Sequence, residues 1–208
     1  MRLAKIHFTE MLIDANPIDP ADINNWAFYP GMGYEAMDKW WGDCGTRDFP
    51  HEGIDICLYA TRSGEVRRLD EKTRIPVMAD GVVRAVFKDY LGQAVIVEHE
   101  DRSGNGGTYL SVYAHTRPRD GLRPGAPVRE GEIIATIADT RRSKTRILPH
   151  LHLSLGRPSP DLRYENFIWN IMRDPDCVTL LDPMAVIDGS WQTLGPPNPD
   201  SSRMSFVG

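Results

Sequence analysis

The chain has 208 residues, enough for one large domain with a proper core or one domain with substantial flanking arms. Its hydrophobic content of 41% and charged content of 25% are those of an ordinary soluble globular protein, and a net charge of -5 gives no electrostatic reason to expect nucleic acid or an anionic membrane as partner. Eighteen glycines and sixteen prolines favour turns and short strands over long helices.

Residues 1–46 read as an irregular, aromatic-rich arm, broken by Pro17, Pro20 and Pro30 and turned at Gly31-Met32-Gly33, with a short helix from Gly33 to Trp41. Arg2 and Lys5 open the chain, but His7, Glu10 and Asp14 interrupt any apolar run. Neither a secretory signal core nor a membrane span is written there. The expectation is a protein that stays inside the cell, leaves by another route, or is represented without its leader. Trp26, Phe28, Tyr29, Trp40 and Trp41 are expected to glue the arm to the main domain rather than to form a ligand platform.

From 47 to 158 short strands and turns alternate as in a compact all-β unit. In His51-Glu52-Gly53-Ile54-Asp55-Ile56-Cys57-Leu58 the apolar residues Ile54, Ile56 and Leu58 share one face, and His51, Gly53, Asp55 and Cys57 the other. Gly53 leaves room for a third group to approach, and Cys57 reads as a small buried thiol rather than a further ligand. Residues 61–74 are almost wholly polar, a solvated loop or weak hairpin insertion. Pro76 to Ala79, Asp80-Gly81 and Val82 to Phe87 carry a hairpin signal. Strands follow at Gln93 to His99, at Thr108 to Thr116 with His115 at its polar end, and at Glu132 to Ala138. An arginine-rich loop, Thr140 to Ile147, leads into Pro149-His150-Leu151-His152-Leu153-Ser154-Leu155. There the leucines face a core while His150, His152 and Ser154 share the other face, neighbours at i and i+2 lying about 7 Å apart.

Residues 159–208 hold an amphipathic helix from Tyr164 to Met172, an apolar segment from Leu181 to Ile187, and a loose tail of about a dozen residues rich in Pro, Ser and Asn. Cys44, Cys57 and Cys177 cannot all pair with one another; three free thiols are the simplest reading, with one disulfide possible in an exported protein. Of the six histidines, His51, His115, His150 and His152 lie on polar faces of predicted strands, Asp55 shares a face with His51, and His7 reads as solvated. A catalytic zinc site takes three His or Asp/Glu ligands and leaves a fourth position for water. Two further imidazoles beside it could take a proton from that water, steady the developing oxyanion and help the amine leave. Which of His150 and His152 would bind metal stays open on the residues alone.

These motifs resemble the LytM/lysostaphin-type zinc endopeptidases, which cut peptide bonds in bacterial peptidoglycan. The resemblance rests on His51-x-Gly53-x-Asp55, Pro76-Val77-x-Ala79-x-Gly81-x-Val83, Tyr113-Ala114-His115, Gly125-x-x-Val128-x-x-Gly131-x-x-Ile134 and Pro149-His150-Leu151-His152, from about Phe49 to Leu155. It implies a two-layered antiparallel sheet with an open groove, like a duplicated hybrid motif, plus short flanking helices. It also implies His51, Asp55 and His152 as ligands of one Zn2+ per chain, His115 and His150 as catalytic histidines, peptidoglycan peptide as substrate, and periplasm or cell wall as the location. Ser154 departs from the acidic residue that many relatives carry after His-x-His, and residues 61–74 lengthen the neighbouring loop. The alternatives are a non-catalytic LytM-like module that binds the wall or activates another hydrolase, which the full set of site residues weighs against, and a lipoyl-type carrier suggested by Gly125 to Ile137. The carrier lacks the exposed lysine it needs at a hairpin tip.

Overall fold

A computed structural model of the protein describes residues 3–196 except 104, 105, 142, 144, 146 and 166; the expected loose tail lies outside the described residues. The centre of the molecule is a large antiparallel sheet in which β12 (Val178–Leu181), β11 (Leu151–Pro158), β8 (Thr108–Pro118), β7 (Gln93–Glu100), β6 (Gly81–Lys88) and β9 (Pro127–Val128) lie side by side. β10 (Ile133–Ile137) joins it by pairing with β8 and β5 (Arg74–Pro76), and β2 (Ile54–Ile56) by pairing with β11. A smaller sheet stacks β13 (Trp191–Thr193), β1 (Ile23–Phe28), β3 (Leu58–Thr61) and β4 (Val66–Arg68) in that order. Three short helices flank the sheets: α1 (Phe8–Asp14), α2 (Trp169–Arg173) and α3 (Pro183–Val186). The all-β, two-layered reading therefore holds. No helix of the described residues is long and apolar enough to cross a membrane.

The central strand β8 is largely apolar on both faces because both faces are covered. On β8, Tyr109 and Tyr113 point into a core shared with Phe8 and Leu12 of α1, Trp26 and Phe28 of β1, Leu58 of β3, and Leu151 and Leu153 of β11. Leu110, Val112 and Ala114 alternate with them and meet Phe167, Met172 and Val178 on the opposite face. The amino-terminal segment thus lies over one face, joined there by α3 and β13, while Phe167, Met172 and Val178 cover the other.

Four local expectations change. The arm is not irregular, since it contains α1 and β1. Gly33 to Trp41 forms no helix: its amides bond to the 44–51 loop instead of to residues four back, with Glu35 N–H on His51 O and Lys39 N–H on Gly45 O. Asp80-Gly81 makes no hairpin, because β5 pairs with β10 while β6 pairs with β7 and β9. Gly81 is there for close approach, a Cβ at that position standing 2.5 Å from Glu98 O. The helix expected over Tyr164 to Met172 shrinks to α2, as Tyr164 is drawn to the sheet by a hydrogen bond from its hydroxyl to Glu98. The 61–74 stretch forms the weak β3–β4 hairpin with β4 exposed, and Cys44, Cys57 and Cys177 are free thiols.

Two outcomes follow from this packing. A Cβ on Gly53 would stand 2.2 Å from Leu153 O and 2.7 Å from Ser154 Oγ, so Gly53→Ala must push β2 off β11 and should lower the unfolding free energy by about 1–3 kcal/mol in a denaturant titration. His99 is buried, donates from Nδ1 to Asp80 O, accepts at Nε2 from Ser111 Oγ, and is pushed down to about 4 by burial. The unfolded chain, with an ordinary histidine, binds more protons between these values. Stability is therefore full above the unfolded pKa and falls as pH drops towards the folded one, by about 3 kcal/mol in all. His99→Gln should flatten that part of the acid slope in urea unfolding.

Candidate metal centre

The site is assembled by strand register. In β11, His152 stands opposite Asp55 of β2 on one side and Ala114 of β8 on the other, so their side chains share one face of the sheet. Gly53 allows this approach: the group that comes close is the β11 backbone and Ser154, not a ligand. His51 lies one turn of loop before β2, its ring held by an Nδ1–H bond to Gly33 O at 2.9 Å. His150 just precedes β11 and donates from Nδ1 to Leu148 O at 2.7 Å.

His115 departs from simple alternation. Tyr113 pairs with Leu153 and faces the apolar core, so an unbroken strand would send His115 the same way, away from His152. The β7–β8 register shifts near this point, and His115 has φ +58°. That left-handed turn, unfavourable for a side chain larger than glycine, carries the ring back to the histidine face. Its ring centroid lies 4.8 Å from that of His150 and 5.7 Å from that of His152. Asp89 holds the turn: one carboxylate oxygen accepts from the His115 amide at 2.6 Å and from its Nδ1–H at 3.1 Å. Burial by itself would raise Asp89, but these bonds and the Gly92 amide outweigh it and hold the carboxyl at about 2.

His51 Nε2, Asp55 Oδ1 and His152 Nδ1 form a triangle with sides of 3.0, 3.1 and 3.2 Å, all buried. His51 Nδ1–H is fixed on Gly33 O, and in the tautomer in which His152 Nε2–H donates to Ser154 Oγ at 2.7 Å both remaining ring nitrogens turn lone pairs towards an ionised carboxylate. Three acceptors facing one another need a cation between or above them. Edges of about 3.3 Å are those of a tetrahedral zinc site with bonds near 2.0–2.1 Å, and two imidazoles with a carboxylate suit that metal. Burial alone would raise Asp55, yet the imidazoles of His51, His150 and His152 hold it well below the usual carboxylate range. Its other oxygen accepts from Trp40 Nε1 at 2.7 Å, which leaves Oδ1 for the triangle. His150 Nε2 lies 3.7 Å from Asp55 Oδ1, and burial pushes this histidine down to about 4.

The structure thus brings together all five predicted site residues. His99 is buried elsewhere, His7 is exposed beside Glu10, and Cys57 sits in the apolar core. Sequence reading missed Asp89, Trp40, Gly33 O and Leu148 O, the groups that orient the five. Trp40 glues the arm as expected, but its indole nitrogen also holds Asp55.

A model of peptidase family M23 matches residues 50–161, more than half of the chain, including His51, Asp55, His115, His150 and His152. The chain belongs to peptidase family M23. Members of M23 are hydrolases acting on peptide bonds. Among solved structures this M23 chain is similar to lysostaphin in solution, at 20% identity and a TM-score of 0.45 over 81% of this chain and 56% of that one. It therefore spans little more than half of lysostaphin's length. It is also similar to the catalytic domain of EnpA, a prophage-encoded M23 protein from Enterococcus faecalis, at 22% identity and a TM-score of 0.37 over 65% of this chain and 89% of that one. No curated protein matches the chain.

Zinc added to the metal-free protein should raise its unfolding temperature, since a ligand at 100 times its Kd stabilises by about 2.7 kcal/mol. In His152→Ala, which removes one corner of the triangle, calorimetry should show that shift abolished.

Proposed function

We propose that this M23 protein is a zinc endopeptidase that hydrolyses peptide bonds in bacterial peptidoglycan, in its cross-links or stem peptides. The observation that carries the reading is the buried triangle of His51, Asp55 and His152 with two further imidazoles beside it in one cleft. His51, Asp55 and His152 would hold one Zn2+, and His115 and His150 would move protons. When bound, the metal would acidify a water molecule and polarise the carbonyl under attack.

The chain's own residues account for the rest. The Nδ1–H groups of His115 and His150 are tied to Asp89 and Leu148 O, so each ring offers its Nε2 lone pair. Such a nitrogen accepts a proton from the attacking water and returns it to the departing amine. The ionised Asp89 behind His115 steadies an imidazolium formed there, fixing its tautomer as well as its direction. His150, kept neutral by burial, is an acceptor throughout the neutral range. We take residues 47–158 as the metallopeptidase core, with 1–46 and 159–208 as packed flanks. Such a substrate lies outside the cytoplasm, so the protein would work in the periplasm or at the wall.

The purified protein should contain about one zinc per chain and release soluble fragments from purified peptidoglycan in a chelator-sensitive way, the fragment masses naming the bond. His115→Ala should keep its zinc while turnover drops by about 10²–10⁴. Loss of the metal in that variant would reverse the division of roles, and a zinc-loaded protein that releases nothing from any wall type would sink the reading.

A further inference from the structure

The cleft that holds the five site residues is also lined by two arginines, Arg47 and Arg173, and by a second acid besides Asp55, Glu52. Both acids are buried. Arg47 is turned inward: its Nε donates to Asp38 O, one Nη to Gly31 O, its guanidinium lies 4.4 Å from the Trp41 ring, and its side chain is 14% exposed. Arg173 differs, with a side chain that is 37% exposed.

Arg173 is nevertheless held in place. It shares one face of α2 with Trp169, four residues before it, and Trp169 packs edge-on to His152 with centroids 5.2 Å apart. Arg173 Nε donates to Glu52, the chain neighbour of His51, and the guanidinium carbon lies 4.9 Å from the Phe49 ring. Nε is thus engaged and the flat face covered, while neither Nη has a hydrogen-bond partner among the described residues. A guanidinium fixed in this way presents two parallel N–H bonds of a fork that matches a carboxylate. A buried glutamate needing only a counter-ion would not require an aromatic stack or an open fork.

We propose that Arg173 binds a carboxylate of the substrate, so that the preferred peptide carries a free carboxylate near the bond that is cut. This rests on the endopeptidase reading above and narrows its substrate class. An uncharged linker, or a stem whose carboxylate is amidated, would be a poor substrate.

The test uses the full-length zinc-loaded protein and two synthetic peptides that differ only in a carboxylate or a carboxamide beside the scissile bond. Wild type should favour the carboxylate by about tenfold to a hundredfold in kcat/KM, mainly through KM. That ratio should fall towards one in Arg173→Gln and be partly restored in Arg173→Lys, which keeps the charge and loses the fork. Because Arg173→Gln leaves Glu52 buried without its partner, a Glu52→Gln/Arg173→Gln double variant serves as the folded control. Equal cutting of both peptides by wild type, or an unchanged ratio in the variants, would overturn the proposal. If the zinc-loaded protein cuts neither peptide and releases nothing from any wall type, the endopeptidase reading fails, and calorimetric binding of the same pair still judges the arginine. Tighter binding of the carboxylate form by wild type alone upholds its role; equal binding rejects it.

Discussion

The pairing of β2 with β11 is the contact on which the site depends. It sets Asp55 opposite His152 and, through the loop before β2, brings His51 to both. The pairing is possible only because position 53 has no side chain to meet Leu153 O. β11 is in turn pinned from the other side by β8, whose two faces fill two separate cores. A donor triangle with sides near 3 Å is therefore held by backbone hydrogen bonds and apolar packing rather than by flexible side chains, the kind of support that a preorganised metal site requires.

Much of this was legible where the signal was local. Leu151, Leu153 and Leu155 alternate with His150, His152 and Ser154, and a period of two survives folding because one face is wholly apolar. The large strands β7, β8, β10 and β11 were readable for the same reason. What depends on distant partners was not. Asp80-Gly81 has the chemistry of a tight turn, yet β5 finds β10 and β6 finds β7, so the turn never closes. Gly33 to Trp41 has residues compatible with a helix, but its amides are taken by the 44–51 loop.

His115 shows the difference most clearly. Alternation placed it on the polar face of its strand, but that face carries Tyr113 and points into the core. The ring reaches its histidine neighbours only through a left-handed residue and the carboxylate of Asp89, 26 residues earlier. No pattern within residues 108–116 announces this. Similarly, Trp40 reads as one more aromatic in a crowded arm, and only the folded chain reveals that its N–H restrains Asp55.

The spacing of the three donors has a consequence for how the protein matures. His51 and Asp55 are four residues apart, whereas His152 follows Asp55 by 97. A chain that is made from its amino terminus carries two of the corners long before the third, and two donors on an unfolded segment hold a divalent ion weakly. The third corner must wait until β8 and β11 have closed the sheet. The donor triangle is thereby completed only late in assembly, and a chain that misfolds before β11 docks never forms it.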